Sequence, residues 1–203
     1  MLLRKLLLSY FLALWSLGSF AQTNAVLDLY GEALSNLVLL RNEGNMIPLQ
    51  RLDTLQIAYV SAGGPRQAAF QDFLERYTSI TPLNFPAFAS ESETQTWINT
   101  QTRRFNCFIL SIEDVSANVD QPNYLADANW IKGLMATDPV ALVLFNPQQA
   151  LNKLPTLEKA PAIIVSDDTQ EGQSLAAQLL FGGVSTTSRL RRPLSPQYLM
   201  GNG

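Results

Sequence analysis

Val140-Ala-Leu-Val-Leu-Phe145 carries no polar side chain at any position. A short apolar run of this kind suits a strand covered on both faces, as in a parallel sheet. Working outward, Ala162–Ser166 (Ala-Ile-Ile-Val-Ser) is apolar and β-branched, and Phe105–Ile112 (Phe-Asn-Cys-Phe-Ile-Leu-Ser-Ile) is nearly continuous in apolar residues. Leu55–Ser61 (Leu-Gln-Ile-Ala-Tyr-Val-Ser) is the clearest strand upstream, and Thr81–Phe88 is a fifth, weakened by Pro82 and Pro86.

Helical patterns alternate with these runs. Gln67–Thr78 places Phe70, Phe73, Leu74 and Tyr77 on one face at helical spacing. Glu91–Thr102 carries Trp97 and Ile98, and Leu125–Thr137 carries Leu125, Ala128, Ile131, Leu134 and Met135. Pro147–Leu157 opens with proline at a favoured first-turn position. Gln170–Phe181 ends at Gly182-Gly183, a natural helix stop. Val26–Leu40 is amphipathic enough to start as a helix, while its end, Leu37–Leu40, suits an extended run. Strand and helix in alternation predict an α/β fold: a three-layer sandwich with a mostly parallel sheet of five or six strands, flanked by helices. The segment Ser185–Gly203 is polar and proline-containing, and its close cluster of Arg189, Arg191 and Arg192 reads as a solvated end, with an anion site as the alternative.

Residues 1–21 read as a secretory signal: Arg4 and Lys5, an apolar stretch over Leu6–Leu17, then Ser19-Phe20-Ala21 before Gln22. The apolar stretch falls short of the roughly 20 residues that span a bilayer, so cleavage would leave no stable membrane anchor. Residues 22–203 then form one exported domain, periplasmic or secreted. The formal net charge of -3 becomes -5 without Arg4 and Lys5. An acidic balance argues against nucleic-acid binding, which needs a basic face for the phosphates.

The 203 residues contain no His and one Cys, Cys107. Histidine-assisted nucleophile systems are thereby excluded, and zinc loses its preferred ligands; no cofactor is expected. Cys107 lies among Phe105, Phe108, Ile109 and Leu110 and reads as a small buried hydrophobe. Trp97 and Trp130 lie on amphipathic patterns and read as core.

Open α/β sheets bind ligands beyond the carboxyl ends of their strands. Three features fall there: Ser61-Ala62-Gly63-Gly64-Pro65, a tight strand-to-helix turn; Glu113-Asp114; and Asp167-Asp168, with Glu171 one turn on. Glu113, Asp114, Asp167, Asp168 and Glu171 are the candidate substrate-binding residues. Facing carboxylates serve glycoside hydrolysis or hold a hard cation. Asp168 or Thr169 equally suits capping of the following helix.

The order of several segments resembles the C-terminal α/β-sandwich domain of glycoside hydrolase family 3. Leu37-Val-Leu-Leu-Arg-Asn-Glu-Gly-Asn-Met-Ile-Pro-Leu49 is similar to the family's opening "VLLKN…LPL" stretch, and Ile57-Ala-Tyr-Val60 to the strand that follows it. Val143-Leu-Phe-Asn-Pro147 resembles "FGNP" without its glycine. Ala162–Ser166, Gln170-Glu-Gly172 and Leu179-Leu-Phe-Gly-Gly183 resemble the family's closing motifs, and Arg189-Leu190 sits where "GRLP" is expected. The Gly63–Phe70 region and the loop after Ile112 look most like the exported bacterial β-N-acetylhexosaminidase branch.

In that family the nucleophilic aspartate lies in a (β/α)₈ barrel, which needs about 250 residues. The resemblance therefore implies a stand-alone domain accessory to β-glycoside or N-acetylhexosaminide hydrolysis, with no catalytic residue of its own. Its implied partners are a saccharide and a separate catalytic barrel chain. Where the sandwich domain supplies an acid/base glutamate, Glu113 is the nearest position, but its loop departs from that pattern. Three alternatives stay open: a small exported ligand-binding module, a remnant of a split glycosidase gene, and a small glycosidase using Glu113 with Asp167, Asp168 or Glu171.

Overall fold

The computed structural model describes residues 27–62, 67–83, 90–112, 129–137 and 139–203. The leader expected at 1–21, the turn expected at Gly63-Gly64-Pro65, and Glu113-Asp114 lie outside the described residues. A helix over residues 27–36 (α1) stops at Leu37, and the chain runs on as strand β1, Val38–Asn42. There follow β2 (Ile57–Ala62), α2 (Gln67–Glu75), β3 (Ile80–Pro82), α3 (Glu91–Thr102), β4 (Cys107–Ile112), α4 (Asn129–Thr137), β5 (Val140–Leu144), α5 (Pro147–Lys153), β6 (Ala162–Val165) and α6 (Gln170–Phe181).

The six strands form one sheet in the order β1-β6-β5-β4-β2-β3. β2 to β6 pair in parallel, and β1 closes one edge antiparallel to β6. Counted alone in chain order, the parallel strands run 2-1-3-4-5, a doubly wound sheet whose order reverses between β2 and β4. The expected α/β architecture is thus present, with six strands.

Strand alternation divides the core into two layers. Ile57 and Tyr59 of β2, Cys107 and Ile109 of β4, and Ile164 of β6 face Phe70 and Leu74 of α2 and Leu175 and Leu179 of α6. Ala58, Val60, Phe108, Leu110 and Val165 face Ile98 of α3, Trp130 and Leu134 of α4 and Leu151 of α5. Every residue of β4 and β5 is buried, which accounts for their unbroken apolar sequence. Trp130 is core as expected, while Trp97 is half-buried against the same layer.

Local chemistry fixes several ends. Asn42 clamps the turn after β1: its Nδ2 donates to the Ile47 carbonyl, and the Ile47 amide donates to its Oδ1, both at 2.8 Å. Gly44 in that turn has φ +63°, a conformation that favours glycine. At the far end of α6, Gly182 takes φ +81° and the Gly183 amide donates to the Gln178 carbonyl, so the glycine pair stops the helix as expected.

Three expectations are corrected. The strand expected over Thr81–Phe88 starts one residue earlier and covers Ile80–Pro82; proline has no amide to extend the ladder. The helix expected over Pro147–Leu157 ends at Lys153, and Pro155 starts a separate 3-10 turn over Pro155–Lys159. The segment Ser185–Gly203 is anchored rather than solvated along its length. Leu190, Leu194 and Tyr198 are buried against the α3–α5 layer, and Leu190 exchanges backbone hydrogen bonds with Gly201 and Asn202. Arg189, Arg191 and Arg192 themselves are exposed.

Candidate functional site

The parallel strands all end at the same edge of the sheet, where a doubly wound fold places its ligands. Three devices of the described residues lie toward that edge. The first is a hydroxyl ladder at the reversal between β2 and β4. Tyr59 and Ser111 are buried with their hydroxyl oxygens 2.8 Å apart, and the Ser111 hydroxyl donates to Ser61 Oγ at 3.2 Å. The register pairs Ser61 with Ser111 across the two strands, so both point to the α2/α6 side. A tyrosine and a serine inside otherwise apolar strands were the sequence signal for this ladder.

The second device is the junction from β6 to α6. Ser166 is buried and donates to the Gly172 carbonyl at 2.9 Å. Thr169 caps α6, accepting from the Gly172 amide at 3.0 Å. Of the two residues considered for this role, Thr169 takes it. Asp168 instead accepts from Gln173 Nε2 at 2.8 Å. Gln173 Oε1 is buried without a partner. Gly172 allows the junction: a Cβ there would lie 2.3 Å from the Asp167 carbonyl oxygen.

The third device is a pocket of about 380 Å³ at the end of β6. Asp167, two residues past β6, lines it, and its Oδ2 accepts from Asn36 Nδ2 of α1 at 2.8 Å. Arg189, Arg191 and Arg192 line it too, with Leu190 and Leu194. Val38 and Val165, which pair across β1 and β6, complete an apolar floor. Two other pockets, of about 520 and 460 Å³, lie at the amino ends of β2 and β3 and beside the end of α6. The first has Arg104 as its one charged lining residue and the second has none. Converging polar groups, more than volume, mark a binding site, so the smaller pocket is the stronger candidate.

The five predicted site residues therefore separate. Asp167 joins the arginine cluster in the pocket; Asp168 and Glu171 are half-buried nearby but do not line it. Glu113 and Asp114 follow Ile112 directly and lie outside the described residues. β5 stands between β4 and β6, so the ends of those two strands are about 10 Å apart. Asn36 is a site residue that sequence reasoning missed, because 131 positions separate it from Asp167. Among the described residues, no group of three His, Cys, Asp or Glu could hold a metal ion, and no helix is long and apolar enough to cross a membrane.

No protein-family model matches the chain, and no curated protein matches it in sequence. Solved structures do. A fungal multi-domain GH3 beta-N-acetylglucosaminidase, described with a GCN5-related glucosamine N-acetyltransferase region, aligns with a TM-score of 0.59 at 17% identity. The match covers 85% of this chain and 19% of that one. A beta-glucosidase from Listeria innocua in complex with isofagomine aligns at 0.55 and 17% identity, covering 76% of this chain and 25% of that one. This fold occurs within glycosidases. Beta-glucoside phosphorylase BglX carries it too, at a TM-score of 0.52 and 14% identity, over 77% of this chain and 29% of that one. The resemblance read from the sequence holds at the level of the fold, and the chain spans less than a third of the length of each of these proteins.

Proposed function

We propose that this chain is an exported accessory α/β domain of the glycoside hydrolase family 3 type. In this reading it serves hydrolysis of a β-glycoside or N-acetylhexosaminide without supplying the reacting carboxylate. One observation carries it: 85% of the chain aligns with only 19% of a multi-domain beta-N-acetylglucosaminidase. The chain thus corresponds to one layered part of a much larger enzyme. The described acids support the non-catalytic half of the reading. Asp167 and Asp168 are each held by a neighbouring amide, from Asn36 and Gln173, rather than facing one another across a cleft.

A separate barrel chain supplies the nucleophile in this reading, and the carboxyl edge of the sheet is where a saccharide is held. The leader at residues 1–21 sends the domain out of the cytoplasm, so mature protein from the native host starts at Gln22. The full chain, purified, is assayed with p-nitrophenyl β-D-glucoside and p-nitrophenyl N-acetyl-β-D-glucosaminide. The expected result is no release above a buffer blank, together with co-elution at micromolar concentration with a barrel-type glycosidase chain from the same host. Hydrolysis by the chain alone, abolished by Glu113→Gln or Asp167→Asn, overturns the reading.

A further inference from the structure

We propose that the pocket at the end of β6 binds a sugar ring bearing a carboxylate. The inference rests on the carbohydrate reading above and narrows it to an acidic saccharide.

Charge is the first argument. Arg189, Arg191 and Arg192 line one pocket in a chain whose net charge is negative. The ion pair among the described residues is Arg41 with Glu43, so no described carboxylate lies within ion-pair distance of these three guanidiniums. Arg189 donates to the Gly201 carbonyl at 3.0 Å, which holds one of them in place against the tail. Guanidinium forks match carboxylates in a planar, two-pronged geometry.

The rest of the lining suits more than a bare anion. Asp167 is a negative charge in the same pocket, an acceptor that a small inorganic anion leaves unused. Its Oδ2 is engaged by Asn36, while its Oδ1 has no partner among the described residues. A carboxylate oxygen beside an amide is an acceptor pair for sugar hydroxyls. Val38, Val165, Leu190 and Leu194 give an apolar floor on which the C–H face of a pyranose can lie. A neutral sugar would use the floor and Asp167 but leave the arginines unmatched. A uronic acid uses all three. The volume of about 380 Å³ falls at the small end of the range of about 300–1,000 Å³ for ligand sites, which suits a short saccharide.

The test is calorimetric titration of the full chain with D-glucuronate, D-galacturonate, D-glucose and sodium phosphate at one ionic strength. Saturable binding of a uronate is expected, about tenfold or more tighter than glucose or phosphate. The double variant Arg191→Ala/Arg192→Ala should weaken uronate binding by about tenfold or more. Its thermal midpoint should stay at the wild-type value, since both side chains are exposed. Asp167→Asn should strengthen phosphate binding more than uronate binding, because it removes a charge that repels both anions and an acceptor that only the sugar hydroxyls use. Phosphate binding as tightly as a uronate makes the site a plain anion site and overturns the proposal. So does the absence of saturable uronate binding, or uronate binding that the arginine variant leaves unchanged. Glucose binding as tightly as a uronate overturns the carboxylate assignment but leaves the carbohydrate reading intact. The hydrolysis and co-elution tests of the accessory reading succeed or fail independently.

Discussion

Cys107 opens β4, with 2% of its surface exposed, and desolvation pushes its thiol up to about 12. A buried neutral thiol reacts slowly, since the thiolate is the nucleophile. Native protein at pH 8 is therefore expected to resist iodoacetamide, with full alkylation only in denaturant, as mass spectrometry would read. The same burial has a pH signature. The folded value lies above the ordinary thiol value of 9.0, so the stabilisation is complete below that value and is lost as pH rises from it toward about 12. The difference in stability between wild type and Cys107→Ala should accordingly shift in the variant's favour across that window. Rapid alkylation of the folded protein would refute the buried placement. Cys107 was legible because its immediate neighbours are apolar, whereas the Asp167–Asn36 contact was not. Each of those residues is an ordinary polar side chain in its own segment, and only the β1–β6 pairing brings them together.

At the scale of elements, α6 was legible at both ends because its signals are local: a threonine before it and two glycines after it. The tail was not. Leu190, Leu194 and Tyr198 lie among arginines, prolines and serines without a helical or strand period, so nothing local distinguishes a packed tail from a solvated one. Thr186 and Ser188 hydroxyls donate to the carbonyls of Leu37 and Leu34, which ties the tail to the end of α1. The junction of β6 with α6 depends on one missing side chain. At Gly172 a Cβ would meet backbone, the Asp167 carbonyl at 2.3 Å, and a backbone atom cannot swing aside. Gly172→Ala should destabilise the protein by about 1–3 kcal/mol in urea denaturation, the usual cost of overpacking. Gly31→Ala is the control: nothing lies within 4 Å of that position in α1, so the helix gains alanine's propensity, up to about 1 kcal/mol. Equal effects at the two positions would show that α6 is not seated as tightly as its start requires.

For the molecule as a whole, the alternation of elements was enough to specify a layered α/β fold, but not the strand order. Apolar runs such as Val140–Phe145 state that a strand is covered, and not by which neighbours. The order reverses once, which puts α2 and α6 on one face and α3, α4 and α5 on the other, as the right-handed crossover rule requires for such a reversal. The two core layers share a single sheet, so neither can dissolve while the other persists. β4 and β5 lie inside that sheet, paired on both sides and covered on both faces, while β3 contributes three residues paired to β2 alone. Opening free energy should therefore rise from edge to centre. In native-state hydrogen exchange, the amides of Ile109, Leu110, Leu142 and Val143 are expected to open only with global unfolding. Their opening free energy should fall with denaturant at the slope of the whole protein. The amides of Ile80 and Thr81 should exchange by local opening, at a lower free energy that denaturant hardly changes. If the centre of the sheet instead exchanged through a shallow, denaturant-independent opening, the two layers would have to come apart separately, and one shared sheet could not be what holds them.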